Sequence, residues 1–289
     1  MTPTTDPGGR EAWELQGPGG RVRVTRLGAH VQCWHAAGLG SSPAEPGDAL
    51  FTSADASYGP AVATRGGIPV VFPWFGAGVH GDAAPAHGFA RVREWQLVAS
   101  TDAPSLTLRL EDDAATRALW PHAFRAEFTV SVATGLAVTL RVTNTGATSF
   151  EFEEALHTYF AVGDVKHATV HGLEGVPYDE FAAAPQAHPD AQAPITFEAE
   201  TDRVFQGVPD DVELRCPALG HAVALRTDGA TSAVVWNPWI AKAAAMGQMR
   251  DDEWTRFVCV ESANCKAGAL TLAPGASHTL SLTLRLQPL

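Results

Sequence analysis

Apolar and polar residues alternate one by one along much of this chain. Arg21–Leu27, Leu106–Leu110 and His278–Leu286 each repeat with a period of two, the period of a strand with one buried face. Phe124–Val132 passes through Ala133-Thr134-Gly135 into Leu136–Thr143, two alternating runs joined by a short glycine-containing loop, which predicts a hairpin. Val212–Cys216, Ala222–Arg226, Ser232–Trp236 and Phe257–Val260 are shorter strand candidates. Only Asp112–Leu119 and Ala241–Met249 carry brief helical spacing. Many short strands between Gly/Pro turns predict an all-β protein, a sandwich or a barrel. Gly38–Asp48 and Ala182–Pro194, rich in Ala, Pro and Gly, read as surface loops. Residues 1–19 read as a loosely ordered N-terminal segment, and no internal repeat of fixed period is visible.

Composition changes this picture little. A chain of 289 residues can bury roughly 75% of its unfolded surface, enough for one large core, so a single domain over 1–289 is expected. Hydrophobic content of 45% and charged content of 18% are those of an ordinary globular protein. The net charge of -12 argues against nucleic-acid or anionic-membrane binding. It leaves room for a small anion, because a pair of arginines overrides the global field at contact distance. Cys33, Cys216, Cys259 and Cys265 show no Cys-x-x-Cys spacing, so neither a disulfide framework nor a metal site is expected. No apolar leader and no membrane-length apolar run is present, and a cytoplasmic protein with free thiols is expected.

Candidate chemistry gathers in a few segments. Ser149–Val162 alternates, placing Phe150, Phe152, Glu154, Leu156, Thr158 and Phe160 on one face and Glu151, Glu153, Ala155, His157, Tyr159 and Ala161 on the other. His157 then sits mid-strand beside two carboxylates and a tyrosine, where a group titrating near neutrality suits proton transfer. Taken alone, a histidine that simply hydrogen-bonds within a polar sheet face explains it better. Arg65-Gly66-Gly67 precedes an apolar run, and His87-Gly88-Phe89-Ala90-Arg91 follows a Gly/Pro/Ala loop. Paired glycines permit positive φ or close backbone approach, and two arginines with a histidine suit a phosphate or carboxylate. Either arginine taken alone is better explained by pairing with one of the 32 acidic residues. Glu261 ends the apolar run Phe257–Val260, which is costly unless the carboxylate is paired, functional or turned to water. Asp202, opening the run to Phe205, is a weaker candidate.

Taken together, these segments resemble the glucose-6-phosphate 1-epimerases, or hexose-6-phosphate mutarotases, within the aldose 1-epimerase group. The resemblance rests on seven collinear motifs: Arg65 through Gly76, His87 through Arg91, Trp120 through Phe124, Ala155 through Phe160, Thr201-Asp202-Arg203, Val235 through Trp239 and Phe257 through Glu261. It implies a galactose-mutarotase-like antiparallel β-sandwich (supersandwich), with His157 and Glu261 as the catalytic pair. It also implies that Arg65 and Arg91 hold the substrate phosphate and that Asp202 contacts sugar hydroxyls. Members often carry a substrate-contacting glutamine before the His-Gly-Phe-Ala-Arg motif. Here that position is Ala86, so that contact is lost or moved.

The residue types fit anomer interconversion. The anomeric hydroxyl loses a proton while the ring oxygen gains one, so an ionised Glu261 serves as base and a protonated His157 as acid. His87 polarises or positions the ring-oxygen side. No metal, nucleotide or covalent nucleophile is needed, no Gly-x-Gly-x-x-Gly motif is present, and a monomer acting on a small sugar phosphate is expected. A glycoside hydrolase would use two carboxylates, and a silent carbohydrate-binding module would need neither His157 nor Glu261. An aldose 1-epimerase of unphosphorylated hexoses, which would not need Arg65 and Arg91, is the nearer alternative.

Overall fold

A computed structural model describes residues 1–37, 48–98, 104–188 and 190–289. Of the expected Gly38–Asp48 loop, all but Asp48 lies outside the described residues. Among the described residues nearly all regular structure is antiparallel β, with α-helix only at Ala114–Leu119 and Trp239–Ala245. No helix there is long and apolar enough to cross a membrane.

Three sheets matter. The first joins β1 (Thr2–Thr5), β2 (Glu11–Gly17), β3 (Gly20–Thr25) and β4 (Val31–Ala36) in chain order. Its first two strands correct the expectation of a loosely ordered 1–19: β2 buries Ala12, Trp13 and Leu15 against the core. That burial offsets the chain entropy which the Gly/Pro-rich flanks suggested would win.

The second sheet has eight strands, and its long central ones alternate. It runs Thr169–His171, Asp211–Cys216, His221–Asp228, Ser277–Pro288, Leu136–Asn144, Phe124–Ser131, Ser105–Glu111 and Gln96–Val98. The predicted hairpin is its centre, with Phe128 opposite Leu140 and Val130 opposite Val138. Every second residue of Phe124–Ser131 is buried, so the sequence period is the physical one.

The third sheet carries the site. It is built from β5 (Val70–Val71), β6 (Glu154–Leu156), β7 (Tyr159–Ala161), β8 (Tyr178–Glu180), β9 (Gln186–His188), β10 (Thr201–Gln206), β11 (Ser232–Asn237) and β12 (Phe257–Asn264). The order is β9-β8-β10-β11-β12-β6-β5, with β7 also on β12. Its central strand β12 is buried at all eight positions. One face joins the large core, where Leu156, Phe205, Val235 and Val260 share a cluster with Phe128, Leu140 and Leu282 of the second sheet. The opposite face carries a smaller apolar cluster of Val71, Ala155, Val204, Val234 and Ala263. Two layers sharing one core make the expected sandwich.

Two local expectations shift. The Ala182–Pro194 loop contains the edge strand β9, held to β8 by pairing Tyr178 with His188 and by stacking of those two rings 4.6 Å apart. Its composition hides it because an edge strand stands on backbone bonds. The second helix starts two residues before Ala241 and stops at Ala245. Pro238 fixes its entry, and the Asn237 side chain accepts from the Trp239 N–H at 2.9 Å.

Candidate active site

The third sheet's register assembles the site. On β10, β11, β12 and β7, Asp202 faces Trp236, Trp236 faces Cys259, and Cys259 faces Tyr159. One step along β12 on the same face, Glu261 lies opposite Val234. Ala155 faces Ala263 and Tyr159 faces Cys259, a single register, so position 157 falls opposite 261. His157 is not mid-strand as the alternation suggested but in the break between β6 and β7. Its N–H donates to Pro69 O (3.1 Å), while the Thr158 N–H turns back to Leu156 O (2.9 Å). The break tucks the imidazole against Glu261, Nδ1 to Oε1 3.2 Å. Tyr159 lies parallel to that ring, 4.8 Å away at 8°. Glu261, expected at a strand end, is inside β12 and 2% exposed, so it does not turn to water.

The two carboxylates expected beside His157 do other work. Glu151 is exposed, and Glu153 accepts the Phe75 N–H at 2.8 Å and the Lys266 N–H at 2.7 Å, pinning two loops.

Arg65 and Arg91 approach the same cleft from outside the sheet. Gly67 follows Arg65 with φ +65, and a Cβ there would stand 2.1 Å from Val31 O; only glycine lets this loop pass under β4. Gly88, φ +74, would set a Cβ 2.0 Å from Phe72 O, which seats the His87–Arg91 segment on the core. The Arg65 guanidinium donates from NH1 to Tyr159 OH (3.5 Å) and from NH2 to Gly247 O (3.4 Å). Arg91 NH2 donates to Ala86 O at 2.7 Å. The backbone of position 86 therefore holds Arg91, and a glutamine side chain is not needed for that contact. Both Nε atoms are buried with no hydrogen-bond partner. His87 sits 5.5 Å from His157, ring to ring, and its Nδ1 accepts the Gly76 N–H at 3.3 Å. That bond leaves the ring proton on Nε2.

The cleft holds about 660 Å³ and is lined by all six expected residues, His157, Glu261, Arg65, His87, Arg91 and Asp202. It also takes in Tyr159, Trp236, Lys242 and Gln248, which sequence reasoning did not assign to the site. Tyr159 was visible in the Ala155–Phe160 motif. Lys242 was visible only as part of a helical run, and the sequence gives no sign that Glu200 and Asp202 would meet it, Nζ to oxygen 2.6 and 3.6 Å.

Burial dominates the electrostatics. It pushes the Glu261 carboxyl well up, with the Asp202 charge adding and Arg91 opposing. Burial holds His157 well below its ordinary value, helped by His87, Arg91 and Arg65. His87 is lowered to about 3 by burial and then by Arg91, Arg65 and Lys266. Burial thus favours the protonated form of Glu261 and the neutral form of both histidines, and works against the ionised base and protonated acid expected from residue types. The contact between His157 and Glu261 is close without hydrogen-bond geometry, so His157 Nδ1 and Glu261 Oε2 stay unpartnered. Buried polar atoms are rarely left so, and apo catalytic pairs are where such gaps occur.

Known proteins resemble this chain in sequence and fold. The aldose 1-epimerase family profile matches residues 11–285. Proteins described as candidate glucose-6-phosphate 1-epimerases are similar: one of Cenchrus ciliaris, 35% identical over 242 residues (78% of this chain, 71% of that protein), and one of Escherichia coli strain K12, 34% identical over 239 (82% and 77%). A candidate mutarotase of Salmonella typhimurium superposes with a TM-score of 0.83 at 28% identity, over 96% of this chain and 91% of that one. A galactose mutarotase-like protein of Lactobacillus casei shares the fold at a TM-score of 0.74 and 16% identity, over 96% and 100%. This chain is an enzyme of the aldose 1-epimerase family, with a galactose-mutarotase-like fold.

Proposed function

We propose that the cleft interconverts the α and β anomers of D-glucose 6-phosphate and related hexose 6-phosphates. The observation that carries this is the meeting of Arg65 and Arg91, each with an unpartnered Nε, with the buried His157–Glu261 pair in one cleft. A phosphate dianion takes charge-assisted, fork-like hydrogen bonds from guanidinium groups that a hydroxyl cannot match. The net charge of -12 repels the dianion at long range, but screening limits this to about 8 Å at physiological salt, so contact decides.

With the phosphate anchored, the anomeric carbon faces the pair. Glu261 takes the proton of the C1 hydroxyl while His157 gives one to the ring oxygen. The C1–O5 bond breaks to an aldehyde, rotation about C1–C2 presents the other carbonyl face, and closure returns both protons. Burial favours the proton on Glu261, so the reactive state is reached by moving one proton to His157 across a 3.2 Å contact, with no change in the pair's net charge. His87 donates from Nε2 on the ring-oxygen side, and Asp202 takes sugar hydroxyls. On this reading the protein acts in the cytoplasm as a monomer, and its four cysteines are free thiols.

The test is kcat/KM for glucose 6-phosphate against glucose in the wild type and in Arg65→Ala and Arg91→Ala. Each charge-assisted contact is worth about 1.5–3 kcal/mol, so each variant should raise KM for the phosphate roughly ten- to a hundredfold and leave glucose nearly unchanged. Equal wild-type efficiency on the two sugars would assign the cleft to unphosphorylated hexoses.

A further inference from the structure

A second cluster of reactive side chains lies away from the cleft. Cys33 and His35 are two apart on β4, so both leave the same face of the strand, while Trp34 between them turns into the core. Asp48 comes alongside through an antiparallel bridge to His35. Its Oδ1 accepts the N–H groups of Trp34 (2.8 Å) and Leu50 (2.9 Å), which fixes the carboxyl. The Cys33 sulfur, a His35 nitrogen and an Asp48 oxygen all lie within 4.8 Å of one another. His35 Nδ1 is buried and without a hydrogen-bond partner among the described residues. None of the three lines the catalytic cleft.

We propose that Cys33, His35 and Asp48 form a binding site for a borderline-soft divalent cation, zinc above others. Sulfur, imidazole and carboxylate donors are the zinc set, and three protein ligands leave the fourth tetrahedral position to water. Donors around such an ion stand about 3.5 Å apart, so small rotations of three side chains close the site. The charge balances. The ion displaces the thiol proton to solvent, and thiolate plus carboxylate neutralise the dication. Arg23, which faces Cys33 across the ladder, already has its charge answered by Glu14 at 2.8 Å. The ion would tie β4 to the incoming Asp48 segment and steady the sheet under which Gly67 passes.

Cobalt(II) titration of the full chain after chelator treatment tests this, with zinc as competitor. One equivalent should bind, raise a thiolate-to-cobalt charge-transfer band and be displaced by zinc. Cys33→Ser should abolish the band, and His35→Gln and Asp48→Asn should each weaken binding by at least about tenfold. The His35→Gln arm keeps every cysteine, so it decides the matter even if Cys33→Ser fails to fold. Cobalt binding without a charge-transfer band, a band that survives in folded Cys33→Ser, or unchanged affinity in His35→Gln would overturn the proposal.

Discussion

The third sheet takes part in two glutamate–histidine pairs, one linking it to the second sheet and one inside the cleft. Glu154 and His278 stand 3.2 Å apart, and so do Glu261 and His157. Both carboxyls are buried. Glu154 nonetheless accepts from Asn264 Nδ2 (3.0 Å), and His278 reaches Gly229 O (2.9 Å) as well as Glu154. Its hydrogen bond to Glu154 holds the His278 pKa up against burial. His157 faces cations and another histidine, and burial drives it down. The same two residue types at the same distance are a clamp in one place and, on the function proposed above, a proton-transfer pair in the other. What differs is the surroundings of the histidine: a carboxyl and a carbonyl beside His278, cations and a second histidine beside His157.

Breaking each pair should therefore give opposite phenotypes. The largest effect belongs to Glu261→Gln and His157→Ala, each expected to cut kcat by about 10²–10⁴-fold while the β-type circular dichroism spectrum persists. A loss under tenfold in either would remove that residue from the chemistry. Next comes His278→Ala. It strands a buried carboxyl and should cost about 3 kcal/mol of stability in denaturant unfolding, with kcat on the folded fraction unchanged.

The two regions, read at His278 and at His87 beside His157, also predict opposite pH slopes, a smaller effect read by unfolding across pH. His278 is raised in the fold, so its contribution is full below the unfolded value near 6.5 and fades as pH rises through the folded one. His87, lowered to about 3, contributes above 6.5 and loses that as pH falls toward 3. His278→Ala should flatten the alkaline limb and His87→Ala the acid limb. If either variant flattens the wrong limb, the electrostatic contrast between the two regions is mistaken.

The second sheet was almost wholly legible in the sequence, because one face meets the core and the other meets water, and period two records that directly. The third sheet was not. Covered on both faces, β12 opens with the unbroken apolar run Phe257–Val260, and its pattern says nothing about where Glu261 points. The Ser149–Val162 alternation likewise ran through a real break at His157–Thr158, which no residue there advertises. His157, Glu261 and the arginines were found by motif rather than by face. Tyr159's stacking, the Lys242 ion pairs and the bridge from His35 to Asp48 depend on register between distant strands and segments, which no local window contains.

Lys242 carries one more consequence. A ring-opening cleft generates an aldehyde at every turnover, and a primary amine in the same cleft is the usual partner for one. Here Glu200 and Asp202 grip that amine and hold its pKa up despite burial, so it remains ammonium and has no lone pair to attack with. Glu200→Gln should free it. Borohydride treatment during turnover would then leave a single sugar-phosphate adduct on Lys242 by mass spectrometry, absent from the wild type. The acidic partners act as a safety catch, keeping the enzyme from being alkylated by its own open-chain intermediate.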